Sequence, residues 1–236
     1  MIFRNGALGS SSPAWLARFA LVGAASLFAA DHAGAIEIKT ESAPTDKKII
    51  LVLSGKFEPG DGLKLRAYVA KLPAELPIAV HFNVGGGSLK EAMSIGRFLH
   101  QLGVNTVVPA KAKCVSPCLL AFFGGVDQGS QSRWVKHTSA SFGFRSFLPV
   151  AKERDYTWRD LDAAVANTQQ SILRTLDYLD EVGADLDLLG RIYDDIGANE
   201  TKYMTDDDLL LIGVSIYDDN SNQLIDGTAI RKRRQR

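Results

Sequence analysis

The sequence alternates segments of strand character with segments of helix character, and this order constrains the fold more than any other feature. "KIILVLSG" (48–55), "PIAVHFNV" (77–84) and "VNTVVPA" (104–110) are apolar, rich in β-branched residues and bounded by turn residues, which predicts buried strands. A helix is predicted after each of them. Strands that alternate with helices are typical of a mainly parallel sheet in an α/β layering. The sequence therefore predicts an α/β fold.

Later segments continue the alternation. "SASFGFRSF" (139–147) has strand composition, and residues 155–182 have the pattern of a long helix. "DDD" (206–208) before "LLLIG" predicts a helix whose acidic residues lie at its positive end. The apolar stripe of the long helix consists of Trp158, Leu161, Val165, Ile172, Leu176, Leu179 and Val182. No internal repeat or linker indicates a second domain.

The N-terminal residues have the pattern of a secretory signal peptide. Arg4 and Arg18 supply positive charge, "FALVGAASLFAA" (19–30) is an uncharged apolar run, and "AGA" (33–35) has the small residues that signal peptidase cleaves after. The run is shorter than the roughly 20 residues that span a bilayer. We expect cleavage after Ala35 and a periplasmic or secreted protein without a membrane-spanning segment. An uncleaved N-terminal anchor is the alternative.

Beyond the signal peptide (1–35), we expect a flexible lead-in (36–48), one domain (49–217) and a polar, basic C-terminal tail (218–236). The 27 lysines and arginines equal the 27 aspartates and glutamates, so no overall charge favours nucleic acid. The chain has two cysteines, which cannot form a tetrahedral metal site alone, and neither a metal nor another cofactor is predicted. In an oxidising compartment a bridge between the two cysteines and free thiols are equal alternatives.

Two junctions between a strand and a helix are candidate site elements. In "NVGGGS" (83–88), glycine lets the backbone approach a ligand, and the N–H groups of the following helix can face an anion or oxyanion. A tight turn without function is the alternative. In "KAKCVSPCLLAFFGG" (111–125), Ser116 precedes an apolar helix. Serine as the N-cap with Pro117 at the first helical position is a common helix start, so this serine has a structural interpretation too.

The order and spacing of five segments resemble the extracytoplasmic branch of the Clp protease proteolytic-subunit/crotonase superfamily. They cover most of residues 48–216 and read "HFNVGGGSLKEAMSIGRFL", "TVVPAKAKCVSPCLLAFFGG", "ASFGFRS", "TLDYLDEVGADLDLL" and "YMTDDDLLLIGV". The resemblance implies a single-domain spiral ββα fold with the active centre between the glycine turn and the serine helix. It also implies a homo-oligomer, because such proteins commonly form rings or trimers.

Carried over residue by residue, the resemblance makes Ser116 the candidate nucleophile and places the first oxyanion donor in the backbone of Gly86 and Gly87. The second donor would be the N–H of the next residue, which here is Pro117 and has none. Loss of one oxyanion donor typically costs about 100- to 1000-fold in rate. We therefore expect an impaired oxyanion site.

The base is also altered with respect to the family. The family carries a histidine in a "G-x-H" element, and this chain has "GFR" (143–145) there, with Arg145 at the position of the base. Arginine stays protonated and cannot accept a proton from serine. His137 is the remaining candidate base and requires a different strand register. No third triad member is assigned, although Asn199 and Glu200 lie near its expected place.

These residues favour an exported protein with a degenerate serine-hydrolase site that binds a peptide or a partner protein. In that interpretation Arg145 is a candidate for binding a carboxylate, such as a peptide C-terminus. The alternative is a weak or conditional periplasmic serine peptidase that uses Ser116. Chemistry on acyl thioesters is a third interpretation, and the export signal argues against it because coenzyme A thioesters are cytoplasmic.

Overall fold

A computed structural model describes residues 35–41, 48–128, 132–145, 155–184 and 200–234. The predicted signal peptide lies outside these residues except for Ala35. Within the described residues, the strands are β1 (Glu37–Glu41), β2 (Ile49–Phe57), β3 (Ile78–Gly87), β4 (Asn105–Val108), β5 (Lys113–Val115), β6 (Trp134–His137), β7 (Ser141–Arg145), β8 (Thr201–Tyr203), β9 (Ser215–Asp218) and β10 (Gln223–Ile225). The helices are α1 (Asp61–Val69), α2 (Leu89–Leu102), α3 (Cys118–Phe123), α4 (Trp158–Glu181), α5 (Asp206–Leu211) and α6 (Gly227–Arg234).

The strands form one curled sheet in the order β10-β9-β6-β4-β3-β5-β7-β8, with β2 also paired to β3 and β1 paired to β2. Strand β3 is the centre, because β4 and β5 pair with different parts of it while β2 pairs along its length. The pairs are parallel except β1–β2, β9–β10 and β7–β8, which are antiparallel. The predicted α/β fold with a mainly parallel sheet is confirmed.

The core is centred on α3, whose six residues are all buried. The Phe122 ring contacts Phe82, Phe123 and Phe142 edge to face, with centroids 5.1 to 6.5 Å apart. The Tyr178 hydroxyl of α4 donates a hydrogen bond to the Leu120 carbonyl at 2.5 Å. Because aromatic pairs in this arrangement add to the gain from burial, this cluster fixes α3 against β3 and β7.

Helix boundaries agree with the sequence where the signal is local. Ser88 caps α2 by accepting a hydrogen bond from the Glu91 N–H, and Gly103 ends that helix in the left-handed conformation. Thr205 and Asp208 form a capping box at the start of α5. The predicted helices after the three glycines, over 155–182 and starting with the acidic triplet are confirmed.

Two segments differ from the prediction. Within the expected lead-in (36–48), residues 37–41 form β1, and the preceding Ile36 is fully buried. Within the expected tail (218–236), residues 223–225 and 227–234 form β10 and α6. Both segments are polar, and their strands and helix form by pairing or packing with distant parts of the chain. Their composition therefore did not predict these elements.

None of the helices in the described residues is both long enough and apolar enough to cross a bilayer.

Candidate functional site

The glycines 85–87, predicted to be a turn, are instead the last three residues of β3, and they meet Ser116 at the ends of two adjacent strands. Strand β3 ends at Gly87 and pairs in parallel with β5 through Val84 and Cys114. A Cβ atom on Gly86, which has a φ of 137°, would lie 3.4 Å from the carbonyl oxygen of Ser116. The structure thus brings the backbones of these two candidate site residues into contact.

Gly87 has a different neighbour. It has a φ of 119°, and a Cβ atom there would overlap the backbone of Phe57 on β2. The next N–H group, that of Ser88, donates to the Phe57 carbonyl at 2.7 Å. Gly87 is therefore required by the close approach of β2, whether or not its own N–H group also serves a ligand.

Ser116 does not cap the helix that follows it. Helix α3 begins at Cys118, Pro117 occupies the N-cap position, and the helix start has no side-chain cap. The N–H group of Ser116 instead donates to the Gly143 carbonyl at 2.9 Å, which continues the β5–β7 pairing. The interpretation of Ser116 as an N-cap was wrong, because the strand ladder extends to this residue and delays the helix.

Cys114 and Cys118 form a disulfide, so the alternative of free thiols is excluded. Their Cα atoms lie 5.3 Å apart, and both side chains are completely buried. The bridge joins β5 to the first residue of α3 and closes a short loop that contains Ser116 and Pro117. The covalent link fixes the backbone around the candidate nucleophile.

Arg145 ends β7 and is exposed. Its register partner is Thr201 on β8, and Gly143 pairs with both Val115 and Tyr203. Side chains of paired residues point to the same side of a sheet, and so do residues two apart on one strand. Arg145 therefore lies on the same face as Gly143 and Tyr203, and Lys113, two residues before Val115, lies there too. We call this surface the cationic face; it comprises Gly85, Lys113, Gly143, Arg145 and Tyr203.

Contacts across the cationic face agree with the register. The Lys113 Cε atom lies 3.1 Å from where a Cβ atom of Gly85 would be, and the Tyr203 ring lies 2.9 Å from the corresponding point on Gly143. Tyr203 is 61% exposed. Neither Lys113 nor Arg145 forms an ion pair with a side chain in the part of the chain that the structure describes. The face therefore presents two positive charges and an aromatic ring, with Lys113 next to Gly85.

His137 lies in another set of contacts. Its Nδ1 atom is 2.6 Å from the Asp219 carboxylate, and its ring lies 4.7 Å from the Tyr217 ring. Strand β6, which carries His137, is separated from β5 by β4 and β3 in the sheet order. This candidate base therefore contacts Asp219. No contact between described residues links it to Ser116.

The carboxylate of Asp219 is strongly held in its charged form. Ser139 Oγ donates to it at 2.5 Å, and Thr138 Oγ1 at 3.3 Å. The hydrogen bond from Ser139, followed by that from His137, holds the pKa of Asp219 well below its usual range. This pair of histidine and aspartate links the C-terminal ends of the paired strands β6 and β9 and was not predicted from the sequence.

Sequence reasoning also missed Lys113 and Tyr203. Both lie on short strands. That they share a face with Arg145 could be recognised only once the register between β5, β7 and β8 was known. Glu200 is exposed directly before β8, and Asn199 lies outside the described residues. Among the described residues, no group of three or more histidine, cysteine, aspartate or glutamate side chains is arranged to hold a metal ion.

No protein-family model matches the sequence, and a search of curated proteins finds no significant match. The arrangement of residues therefore carries the functional argument.

Proposed function

We propose that this protein is an exported, Clp-protease-like protein that binds a carboxylate-bearing peptide or partner protein on the cationic face without hydrolysing it. The carrying observation is that Lys113 and Arg145 lie on this one face. Lys113 lies against Gly85, and Arg145 lies two residues beyond Gly143, whose carbonyl accepts from the Ser116 N–H. A guanidinium group can bind a carboxylate through two parallel hydrogen bonds, and the Lys113 ammonium adds positive charge to the same face. The exposed ring of Tyr203 offers an apolar surface for the residue next to that carboxylate.

The same residues argue against efficient hydrolysis. Pro117 follows Ser116 and supplies no N–H group for an oxyanion. Arg145 occupies the position of the family's base, and the His137 imidazole is engaged by Asp219. The spiral ββα arrangement is part of this proposal, and so is the export that the N-terminal pattern predicts. The disulfide between Cys114 and Cys118 supports an oxidising compartment.

Peptide binding tests the proposal directly. The probe is a fluorescein-labelled pool of random decapeptides with free C-termini, compared with the same pool amidated, and binding is followed by fluorescence anisotropy. We expect the free pool to bind more tightly, and Arg145→Gln to raise its dissociation constant by about 10-fold or more, because hydrogen bonds to charged groups contribute about 1.5–3 kcal/mol. Arg159→Gln, which removes an exposed arginine outside the cationic face, is the matched control.

The decisive comparison is between the two pools on the Arg145→Gln protein. If this arginine binds the carboxylate, the variant should bind peptides with free and amidated C-termini with equal affinity. Equal affinity of the original protein for both pools, or an unchanged preference in the variant, would refute the proposal.

A weak serine peptidase is the second candidate function, favoured by the contact between Gly86 and Ser116. In this function the Gly86 N–H group would be the main oxyanion donor. Labelling of purified protein with a fluorophosphonate probe separates the two functions, since only an activated serine reacts. We expect no labelling of folded protein. Labelling that disappears in Ser116→Ala would establish an activated serine and favour the peptidase instead.

A further inference from the structure

Asp61, the first residue of α1, is a buried carboxylate that forms no ion pair with another described residue. It is only 3% exposed. Its Oδ2 atom accepts hydrogen bonds from the backbone N–H groups of Ile36 at 3.1 Å and Glu58 at 2.7 Å. Because burial of a carboxylate without a counter-ion is costly, a positive charge at this place would stabilise the fold.

The nitrogen atom of Ile36 lies where such a counter-ion is needed. Ile36 is fully buried, whereas Ala35 directly before it is exposed. Ile36 is also the first residue after the predicted cleavage position at the end of "AGA" (33–35). The peptide bond that signal peptidase is expected to cut therefore contains the nitrogen atom that contacts Asp61.

Hydrolysis of this bond converts the nitrogen atom from a neutral donor into a cation. Water adds across the bond, so that Ala35 leaves with a carboxylate and Ile36 keeps an α-ammonium group. A free α-amino group has a pKa of about 7.7–8.0 and is therefore mainly charged at pH 7. A hydrogen bond from an ammonium to a carboxylate is about twice as strong as one between neutral groups.

The surroundings of Ile36 leave room for the ammonium group. A Cβ atom on Gly55 would lie 3.3 Å from the carbonyl oxygen of Ala35, so the glycine keeps this side of the chain open. Because Ala35 is exposed, its removal lets water reach the hydrogen atoms that do not face Asp61. The new cation would thus be paired on its buried side and hydrated on the other.

The neighbouring charged side chains have other partners. Lys64 of α1 donates to the Ile36 carbonyl, and Glu91 of α2 accepts from the N–H group of the residue after Asp61 at 3.0 Å. Glu37 of β1 forms an ion pair with the lysine two residues later at 2.8 Å. Asp61 is therefore the carboxylate that the nitrogen atom of Ile36 meets.

We infer that removal of the signal peptide creates an ion pair between the α-ammonium group of Ile36 and the buried carboxylate of Asp61. The pair would join the residue before β1 to the start of α1, and it would stabilise only the cleaved protein. Since Ile36 is fully buried, we expect cleavage to precede folding. The inference rests on the export in the proposed function and not on the peptide ligand, so a failure of peptide binding would leave it standing.

The test compares two proteins that are expressed with the signal peptide and purified after export. Mass spectrometry should identify Ile36 as the first residue of the original protein. In the variant, a serine inserted between Ala35 and Ile36 becomes the first residue, and Ile36 keeps the amide N–H that the structure describes. At pH 7 the midpoint of thermal unfolding should be about 3 °C lower in the variant, because a neutral hydrogen bond replaces a charged one.

The pH dependence distinguishes the ammonium group from packing. Asp61 should raise the pKa of the α-amino group in the folded protein, so the stabilisation is complete below about pH 7.7 and is lost as the pH rises through the raised pKa. The difference in midpoint between the two proteins should therefore shrink between about pH 8 and pH 10. Ile36→Val is the matched control, because it keeps the amine and changes only packing. It should lower the midpoint by the same amount at every pH.

Acylation by an N-hydroxysuccinimide ester at pH 7 reports on the amine itself, since only the neutral amine reacts. The α-amine of the original protein should react at least about 10-fold more slowly than that of the insertion variant. Asp61→Asn should remove the pH dependence, and the first two proteins decide the question even if this variant does not fold. A first residue other than Ile36 would overturn the inference together with the predicted cleavage. With Ile36 first, a difference in midpoint that does not change with pH, or equal acylation rates, would overturn the ion pair alone.

Discussion

His81 lies on β3 with most of its side chain buried, and it links the stability of the fold to pH. Burial, and then the positive charges of Lys48 and His137, lowers its pKa from 6.5 to about 4. Between pH 6.5 and 4 the unfolded chain therefore binds a proton that the folded protein does not bind. The free energy of unfolding should fall as the pH falls through this interval, by at most about 1.4 kcal/mol per pH unit for one proton.

Urea unfolding of the original protein and of His81→Gln at pH 5 and pH 7 measures this contribution. Glutamine does not titrate, so the difference in stability between the two pH values should be smaller in the variant. An NMR titration of the imidazole reports the pKa itself. A pKa near 6.5, or identical pH dependence in the two proteins, would show that His81 is not desolvated as the structure places it.

At the scale of single elements, the bridge between Cys114 and Cys118 determines how β5 passes into α3. A bridge across so short a loop restricts the unfolded chain by an amount worth about 2 kcal/mol. Cys114→Ala/Cys118→Ala should lower the free energy of unfolding by about that much, with a further loss from the two buried sulfur atoms. Chemical denaturation with and without dithiothreitol checks the value.

The same double variant distinguishes the stability that the covalent bridge contributes from the stability that the packing of its sulfur atoms contributes. Dithiothreitol should destabilise the original protein and leave the alanine variant unchanged. If the reductant has no effect on the original protein under conditions where thiol titration shows the bridge to be open, the bridge contributes no stability.

Elements whose signals are local could be predicted from the sequence, and elements that depend on distant partners could not. Helices α2 and α4 have their own amphipathic pattern and caps, so both were predicted closely. Ser116 followed by proline has the local signature of a helix cap, but pairing with Gly143 overrode it. For the candidate site, the sequence indicated the three glycines, Ser116 and Arg145. Lys113 required the register between strands.

At the scale of the whole molecule, β1 covers β2, which would otherwise be an edge strand of the sheet. Its five residues pair antiparallel with β2, although all but one of its side chains are exposed. The preceding Ile36 is fully buried, and its N–H group donates to the Asp61 carboxylate at 3.1 Å. Asp61 is itself only 3% exposed, so it depends on backbone donors such as this one.

Deletion of residues 36–41 should therefore lower the free energy of unfolding by at least about 3 kcal/mol, from the loss of the Ile36 side chain and of a donor to a buried carboxylate. It should also favour aggregation, because β2 would become an open edge. The matched control, Glu37→Ser/Lys39→Ser/Glu41→Ser, changes exposed side chains and keeps the backbone pairing, so it should cost little. Urea unfolding and light scattering measure both effects. Equal stability of the deletion variant and the original protein would mean that the sheet is complete without β1, and that residues 36–48 act as a lead-in after all.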